Sequence, residues 1–64
     1  MENTKRNTLV SLRKNKNWTQ RDLAEIMQVS QQAVSEWEQG TRSPTFKKAK
    51  KLADLFETPI ESFL

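Results

Sequence analysis

Apolar side chains recur at helical intervals through most of this 64-residue chain and divide it into short segments. Leu9 and Leu12 stand three residues apart, and basic residues gather at the end of the same segment, where the helix dipole favours positive charge. This spacing predicts a first helix over residues 8–16. Asn17 follows it, and asparagine tolerates the left-handed backbone that ends many helices.

A capping box opens the second predicted helix, because Thr19 and Asp22 have the spacing at which each side chain accepts a hydrogen bond from the other residue's backbone. Its apolar face consists of Leu23, Ile26 and Met27. Ser30 offers the N-cap of a third helix over residues 31–39, and Gly40 supplies its left-handed stop. The inward positions of this third helix are Ala33, Val34 and Trp37, and its polar outer face carries Gln31, Gln32, Ser35 and Glu36.

The last third of the chain predicts a fourth helix and a final helical turn. Thr45 caps a segment with apolar side chains at helical period, namely Phe46, Ala49, Leu52, Ala53 and Phe56. Thr58 and Pro59 then begin a turn that carries Phe63 and Leu64. No longer segment alternates with period two, so the expected fold is all-α with five helices.

Length and composition limit the chain to one small domain. With 34% apolar side chains it folds around a single core, so we expect one domain over 1–64, with 1–7 as a candidate flexible arm. Cysteine and histidine are absent, which removes disulfides, thiolate nucleophiles and common zinc ligands. We therefore expect no metal, no cofactor and no enzyme. No run approaches the roughly 18 apolar residues that span a membrane, so a cytosolic location is expected.

The positive charge of the chain lies in two blocks. The net charge is +3, and residues 1–18 and 40–51 each carry five basic side chains. Residues 19–39 and 52–64 are net acidic. The arrangement favours either a nucleic-acid contact surface built from both blocks or solvated helix faces, and the cluster Lys47, Lys48, Lys50 and Lys51 fits the second interpretation better.

The second and third predicted helices have helix-turn-helix spacing, with about three residues between them. Ala24 is small enough to let the two helices approach closely. Val34 and Trp37 seat the third helix on the core, so its polar face is free to enter a major groove of DNA.

From Leu9 to Leu64 the chain resembles the lambda-repressor-like (Cro/C1, XRE-type) helix-turn-helix transcription regulators. The matching positions are Leu12-Arg13, Trp18-Thr19-Gln20, Leu23-Ala24, Val29-Ser30, Val34-Ser35, Trp37-Glu38, Gly40, Pro44 and Leu52-Ala53. The resemblance implies a compact five-helix fold that binds a pseudo-palindromic operator in double-stranded DNA as a homodimer. It also implies a repressor or other regulator of phage, mobile-element or bacterial genes, acting in the bacterial cytoplasm or nucleoid.

The resemblance also assigns roles by position. Base reading falls to Gln31, Gln32, Ser35 and Glu36, and phosphate contact to Gln20, Thr41, Arg42 and Ser43. Support of the recognition helix falls to Arg13, Ala24, Val34, Trp37 and Glu38, with Arg13 and Glu38 matching a salt bridge beneath that helix. Gln28 and Asn17 replace frequent glycines and must accept a left-handed backbone. Glu36 replaces a neutral or basic residue, and we expect it either to accept from a cytosine N4 or to point away.

Several side chains admit more than one interpretation. A glutamine amide matches adenine N6 and N7 with about 1–3 kcal/mol of discrimination, although Gln31 and Gln32 are also compatible with a plain helix surface. Trp18 and Trp37 are interpreted as core residues. The apolar end formed by Ile60, Phe63 and Leu64 predicts a dimer seam, or a chain that continues into a longer protein.

Two other classes of function are alternatives to DNA binding alone. An antitoxin-type protein-interaction module that also binds its own promoter shares the fold, although such a protein usually carries an extra segment. A small enzyme is disfavoured because its candidate acids lie on exposed helix positions without a base or a metal cage, namely Asp22, Glu25, Asp54 and Glu57.

Overall fold

A computed structural model of the protein describes residues 5–63, with side chains from residue 9 onward. This part of the chain forms four α-helices and a short 3-10 helix, and it contains no strand. The helices are α1 Lys5–Asn15, α2 Gln20–Met27, α3 Gln31–Gln39, α4 Phe46–Phe56 and the C-terminal 3-10 helix Ile60–Phe63. The all-α prediction is confirmed for the described residues. A fifth α-helix is not found, because the last element is a four-residue 3-10 turn that begins just after Pro59.

The first helix differs from its predicted bounds. It begins at Lys5 instead of residue 8, so residues 5–7 belong to α1, and the rest of the candidate arm lies outside the described residues. The helix ends at Asn15, and Asn17 adopts the predicted left-handed backbone with φ of 60°. The Trp18 N–H then donates to the Arg13 carbonyl at 3.2 Å, which turns the chain toward α2.

Hydroxyl caps begin the other three α-helices, as predicted. The Asp22 N–H donates to the Thr19 hydroxyl at 3.0 Å, and the Thr19 N–H donates to the Asp22 carboxylate at 2.9 Å, which completes the capping box. Ser30 caps α3 and Thr45 caps α4 through their hydroxyls in the same way. Because a hydroxyl cap contributes about 1 kcal/mol, these short local patterns place the helix starts.

A left-handed residue also ends each of these three helices. Gln28, Gly40 and Glu57 have φ of 60°, 82° and 55°. The value for Gln28 confirms the predicted left-handed backbone at that position, and this conformation costs a non-glycine residue roughly 1–2 kcal/mol. The N–H groups that follow are satisfied by helix carbonyls, as in the 2.9 Å bond from Val29 to Ala24. This bond closes the turn between α2 and α3.

One hydrophobic core joins all five elements. Its buried apolar side chains are Leu9, Leu23, Ala24, Met27, Val34, Trp37, Ala49, Leu52, Ala53, Phe56 and Phe63. The core interpretation of Trp37 is confirmed, since this residue is 7% exposed. Trp18 is only half-buried and packs its ring against Phe56 with 5.7 Å between centroids.

Two apolar side chains that the sequence pattern placed in the core are exposed. Phe46 is 67% exposed because it is the first residue of α4, one turn before Ala49, the first buried residue of that helix. Ile26 is 37% exposed. At about 100° per residue it lies roughly 100° around α2 from the centre of the buried stripe formed by Leu23, Ala24 and Met27.

Within residues 60–63 the apolar C-terminal end is not an open surface patch, which contradicts the reason given for a dimer seam. Phe63 is 5% exposed because the 3-10 helix packs against α1 and α4 and turns this ring into the domain's own core. Ile60 is half-buried against the same core. Leu64 lies outside the described residues.

Candidate nucleic-acid interface

α2 and α3 pack against each other over small and aliphatic side chains. Ala24 is 4% exposed and Val34 is fully buried, and the intervening turn consists of residues 28–30. This close packing leaves the opposite side of α3 to face solvent. The predicted support residues Ala24, Val34 and Trp37 therefore lie where the helix-turn-helix spacing placed them.

The outer face of α3 carries the four predicted base-reading residues. Gln31 and Gln32 are exposed at the N-terminal end of the helix, whereas Ser35 and Glu36 are half-buried one turn later. Two side-chain hydrogen bonds lie along this face. The Gln32 Nε2 donates to Glu36 Oε2 at 3.2 Å, and the Gln39 Nε2 donates to the Ser35 hydroxyl at 2.9 Å.

The loop that follows α3 folds back onto the end of this helix. The backbone N–H groups of Thr41 and Arg42 both donate to the Glu36 carbonyl, at 3.1 and 3.4 Å. The Arg42 Nε also lies 3.6 Å from Glu36 Oε1. Thr41, Arg42 and Ser43 are all exposed. The phosphate contacts predicted for them stay predictions.

The Glu36 carboxylate does not turn away from the outer face of α3. The contact predicted between Glu36 and a cytosine N4 stays a prediction. The carboxylate lies between Gln32 and Arg42, with one oxygen directed to each. The negative charge that the sequence places on this face is therefore paired with an arginine.

A second glutamate of α3 lies in a buried polar network. The Arg13 Nε donates to Glu38 Oε2 at 2.6 Å and another guanidinium nitrogen donates to Oε1 at 3.2 Å, with side chains 10% and 6% exposed. Arg13 also donates to the Trp18 carbonyl at 2.8 Å. In the described residues, no buried side-chain nitrogen or oxygen lacks a partner. The network therefore ties α3 to α1 with its polar atoms satisfied.

Gln20 joins this network, which sequence reasoning missed. Its Nε2 donates to Glu38 Oε1 at 2.9 Å, so the side chain links α2 to the same carboxylate. No local pattern indicates the contact, because the two residues are 18 positions apart. The phosphate contact predicted for Gln20 stays a prediction.

The remaining charged groups within residues 5–63 do not form a candidate metal site. No group of three or more carboxylates there is placed to hold a metal ion. Asp22 serves the capping box, and Glu25 lies 3.5 Å from Arg21 in an exposed pair. No helix in the same residues is long and apolar enough to cross a membrane.

These features define a helix-turn-helix module, with two short packed helices, a tight turn and a polar outer face on the second helix. Residues 9–63 match the model of the helix-turn-helix family, and the chain belongs to this family, of the Cro/C1 (XRE) type. The resemblance inferred from the sequence is therefore confirmed.

Two curated relatives are similar to most of this chain. The HTH-type transcriptional activator BcrR of Enterococcus faecalis is 39% identical over 56 residues, and the HTH-type transcriptional regulator AnsR of Bacillus subtilis (strain 168) is 34% identical over 56 residues. Each alignment covers 88% of this chain, but only 28% of BcrR and 48% of AnsR. The chain thus spans less than half the length of either relative. No solved structure matches it at a significant level.

Proposed function

We propose that this chain is a sequence-specific double-stranded DNA-binding module of a transcription regulator, with α3 in the major groove. The observation that carries the proposal is the outer face of α3, where amide and hydroxyl side chains are presented by a helix anchored from behind through Glu38. An α-helix with its side chains is about 10–12 Å in diameter, and the major groove is about 12 Å wide, so α3 can enter the groove with its outer face toward base edges.

The proposed contacts divide by chemistry. Gln31 and Gln32 lie at the N-terminal end of α3, the part of a recognition helix that reaches bases, and Ser35 and Glu36 continue the same face. Phosphate contact is proposed for Gln20, Thr41, Arg42 and Ser43. The last three lie in the loop that folds back beside α3.

Regulation by a homodimer is part of the proposal. One α3 face covers only a few base pairs, so two copies on a pseudo-palindromic operator, with their helices about 34–36 Å apart, supply the remaining specificity. Ile60 and Leu64 stay candidates for the dimer seam, whereas Phe63 belongs to the domain core. One relative is named an activator, so the names of the relatives do not support the predicted repressor role. A DNA target places the proposed action in the bacterial cytoplasm or nucleoid.

Selection of bound duplexes from a random library tests the proposal. We expect an enriched consensus, and Gln31→Ala and Gln32→Ala each to relax symmetric positions of it by about 1–3 kcal/mol. Asn15→Ala is the matched control, because it removes an exposed amide from α1 and should leave the consensus unchanged. A consensus that survives both glutamine substitutions, or equal weakening of every sequence, would contradict base reading by α3.

A further inference from the structure

We infer that Glu36 is a positioning residue that fixes the orientation of the Gln32 amide, so that Gln32 selects a base with an amino group over a base with a keto group. The inference rests on the proposed function, since it requires α3 to lie in the major groove. The inference adds a base preference, amino over keto, at the one operator position that Gln32 contacts.

The first step is the contact between the two side chains. Gln32 Nε2 lies 3.2 Å from Glu36 Oε2, one helical turn away on the same face. A carboxylate only accepts hydrogen bonds, so the amide atom that faces it must be the nitrogen. The carbonyl oxygen Oε1 of Gln32 is consequently directed away from Glu36.

The second step is that Glu36 is itself held in place. Its other oxygen lies 3.6 Å from the Arg42 Nε, and its own carbonyl accepts from the N–H groups of Thr41 and Arg42. The Glu36 side chain is 30% exposed, less than half the 66% of Arg42. A freely rotating surface carboxylate could not orient its neighbour, whereas the Glu36 carboxylate has Arg42 beside one oxygen and Gln32 beside the other.

Gln31 provides the contrast on the same face. It is exposed like Gln32, but its side chain has no hydrogen-bond partner among residues 5–63. Both flipped forms of the Gln31 amide are therefore available to a base. Only one of the two adjacent glutamines has a preset orientation.

The third step is the chemistry of the major-groove edge. Adenine N6 and cytosine N4 are donors, whereas guanine O6 and thymine O4 are acceptors. An outward Oε1 accepts from an amino group and repels a keto oxygen. The second Nε2 hydrogen remains free to reach adenine N7, so the bidentate adenine contact is compatible with this orientation. Glu36 thus disfavours the flipped amide that would donate to a keto base.

Substitutions at Glu36 test the inference in the same random-duplex selection. Gln32→Ala first identifies the operator position that Gln32 contacts. At that position Glu36→Ala should lower the preference for amino over keto bases by about twofold, equivalent to about 0.4 kcal/mol. Glu36→Gln should lose the preference or reverse it, because Arg42 only donates and takes the single amide oxygen, which leaves the amide nitrogen facing Gln32. Glu36→Lys should reverse the preference toward keto bases, because an ammonium group only donates and must face the Gln32 oxygen.

The position relaxed by Gln31→Ala is the internal control and should be unchanged in all three Glu36 variants. Removing the negative charge also raises affinity for every sequence, so the preference is scored as a ratio between bases and not as Kd. An unchanged ratio in Glu36→Ala, or an amino preference retained in Glu36→Lys, would overturn the inference while Gln32→Ala still relaxes its position. If neither glutamine substitution alters the consensus, the proposed function itself fails.

Discussion

Two glutamates of α3, two residues apart, each pair with an arginine, and their surroundings differ sharply. Glu38 faces inward, with its side chain 6% exposed and both oxygens bonded to Arg13 or Gln20. Glu36 faces outward and lies 3.6 Å from Arg42, which is 66% exposed. A buried charge that loses its partner is costly, whereas an exposed pair contributes about 0–1 kcal/mol. The inner pair, Glu38 with Arg13, therefore holds α3 in place. The outer pair, Glu36 with Arg42, arranges the side chains that α3 presents.

The largest effect is expected when the inner pair is broken. Glu38→Ala leaves the Arg13 guanidinium buried without its carboxylate, so unfolding free energy should fall by about 3–5 kcal/mol. A domain of this size has little more stability to lose. Urea denaturation followed by circular dichroism measures the change, and DNA binding should be lost together with the fold.

Replacing both Arg13 and Glu38 by apolar residues separates the cost of an unpaired buried charge from the cost of lost packing. The double variant Arg13→Met with Glu38→Leu removes both charges and should recover much of the loss, because no buried charge remains unpaired. If Glu38→Ala unfolds at nearly the parent's urea concentration, the inner pair does not anchor α3.

A smaller effect is expected from the two glutamines that donate to these glutamates. Gln20→Ala removes the partly buried bond to Glu38 and should lower unfolding free energy by about 1.5 kcal/mol, the lower end of the range for bonds to charged groups. Gln32→Ala removes the exposed bond to Glu36 and is the matched control, with a change under about 0.5 kcal/mol expected. Equal losses in the two variants would show that burial does not distinguish the two faces.

The outer arginine should affect binding instead of folding. Arg42→Ala should reduce the slope of log affinity against log salt by about 0.9, the contribution of one neutralised phosphate, and weaken all duplexes alike. Titrations at several salt concentrations measure this slope. Arg21→Ala is the charge-matched control, because Arg21 is exposed and paired with Glu25 but lies on α2, outside the loop. An unchanged slope in Arg42→Ala would argue against phosphate contact by the loop.

The smallest effect is expected for the contribution of the outer pair to the stability of the domain. Glu36→Ala should change the unfolding free energy by less than about 0.5 kcal/mol, or about 2–4 °C in Tm for a domain of this size. The difference should shrink further as salt screens the exposed charges. A loss comparable to that of Glu38→Ala would mean that the two faces of α3 do not differ in the way their exposure indicates.

The parts of the fold that were predictable depend on contacts within three or four residues. Thr19 with Asp22, Ser30 and Thr45 all cap helices at the predicted starts, since a cap requires only its own first turn. The predictions for Phe46 and Ile26 were wrong because helical period alone does not show how wide the buried stripe is or where packing begins.

In the candidate site, too, local features were predictable and contacts between distant residues were not. Periodicity and resemblance together placed Gln31, Gln32, Ser35 and Glu36 on one face of α3, and this arrangement is seen. The partners of these side chains were not predictable in the same way. The contact of Arg42 with Glu36 requires the loop after Gly40 to fold back along the helix.

By itself the sequence determined where α2, α3 and α4 start, where α2 and α3 stop and which side of α3 is polar, because caps, glycine and helical period act over one or two turns. The tertiary structure alone decided that Gln20 donates to Glu38 and that Phe63 enters the core. These contacts join residues distant along the chain, so they depend on how the helices cross. The packing of helices against one core sets those crossings, and local hydrogen bonding does not.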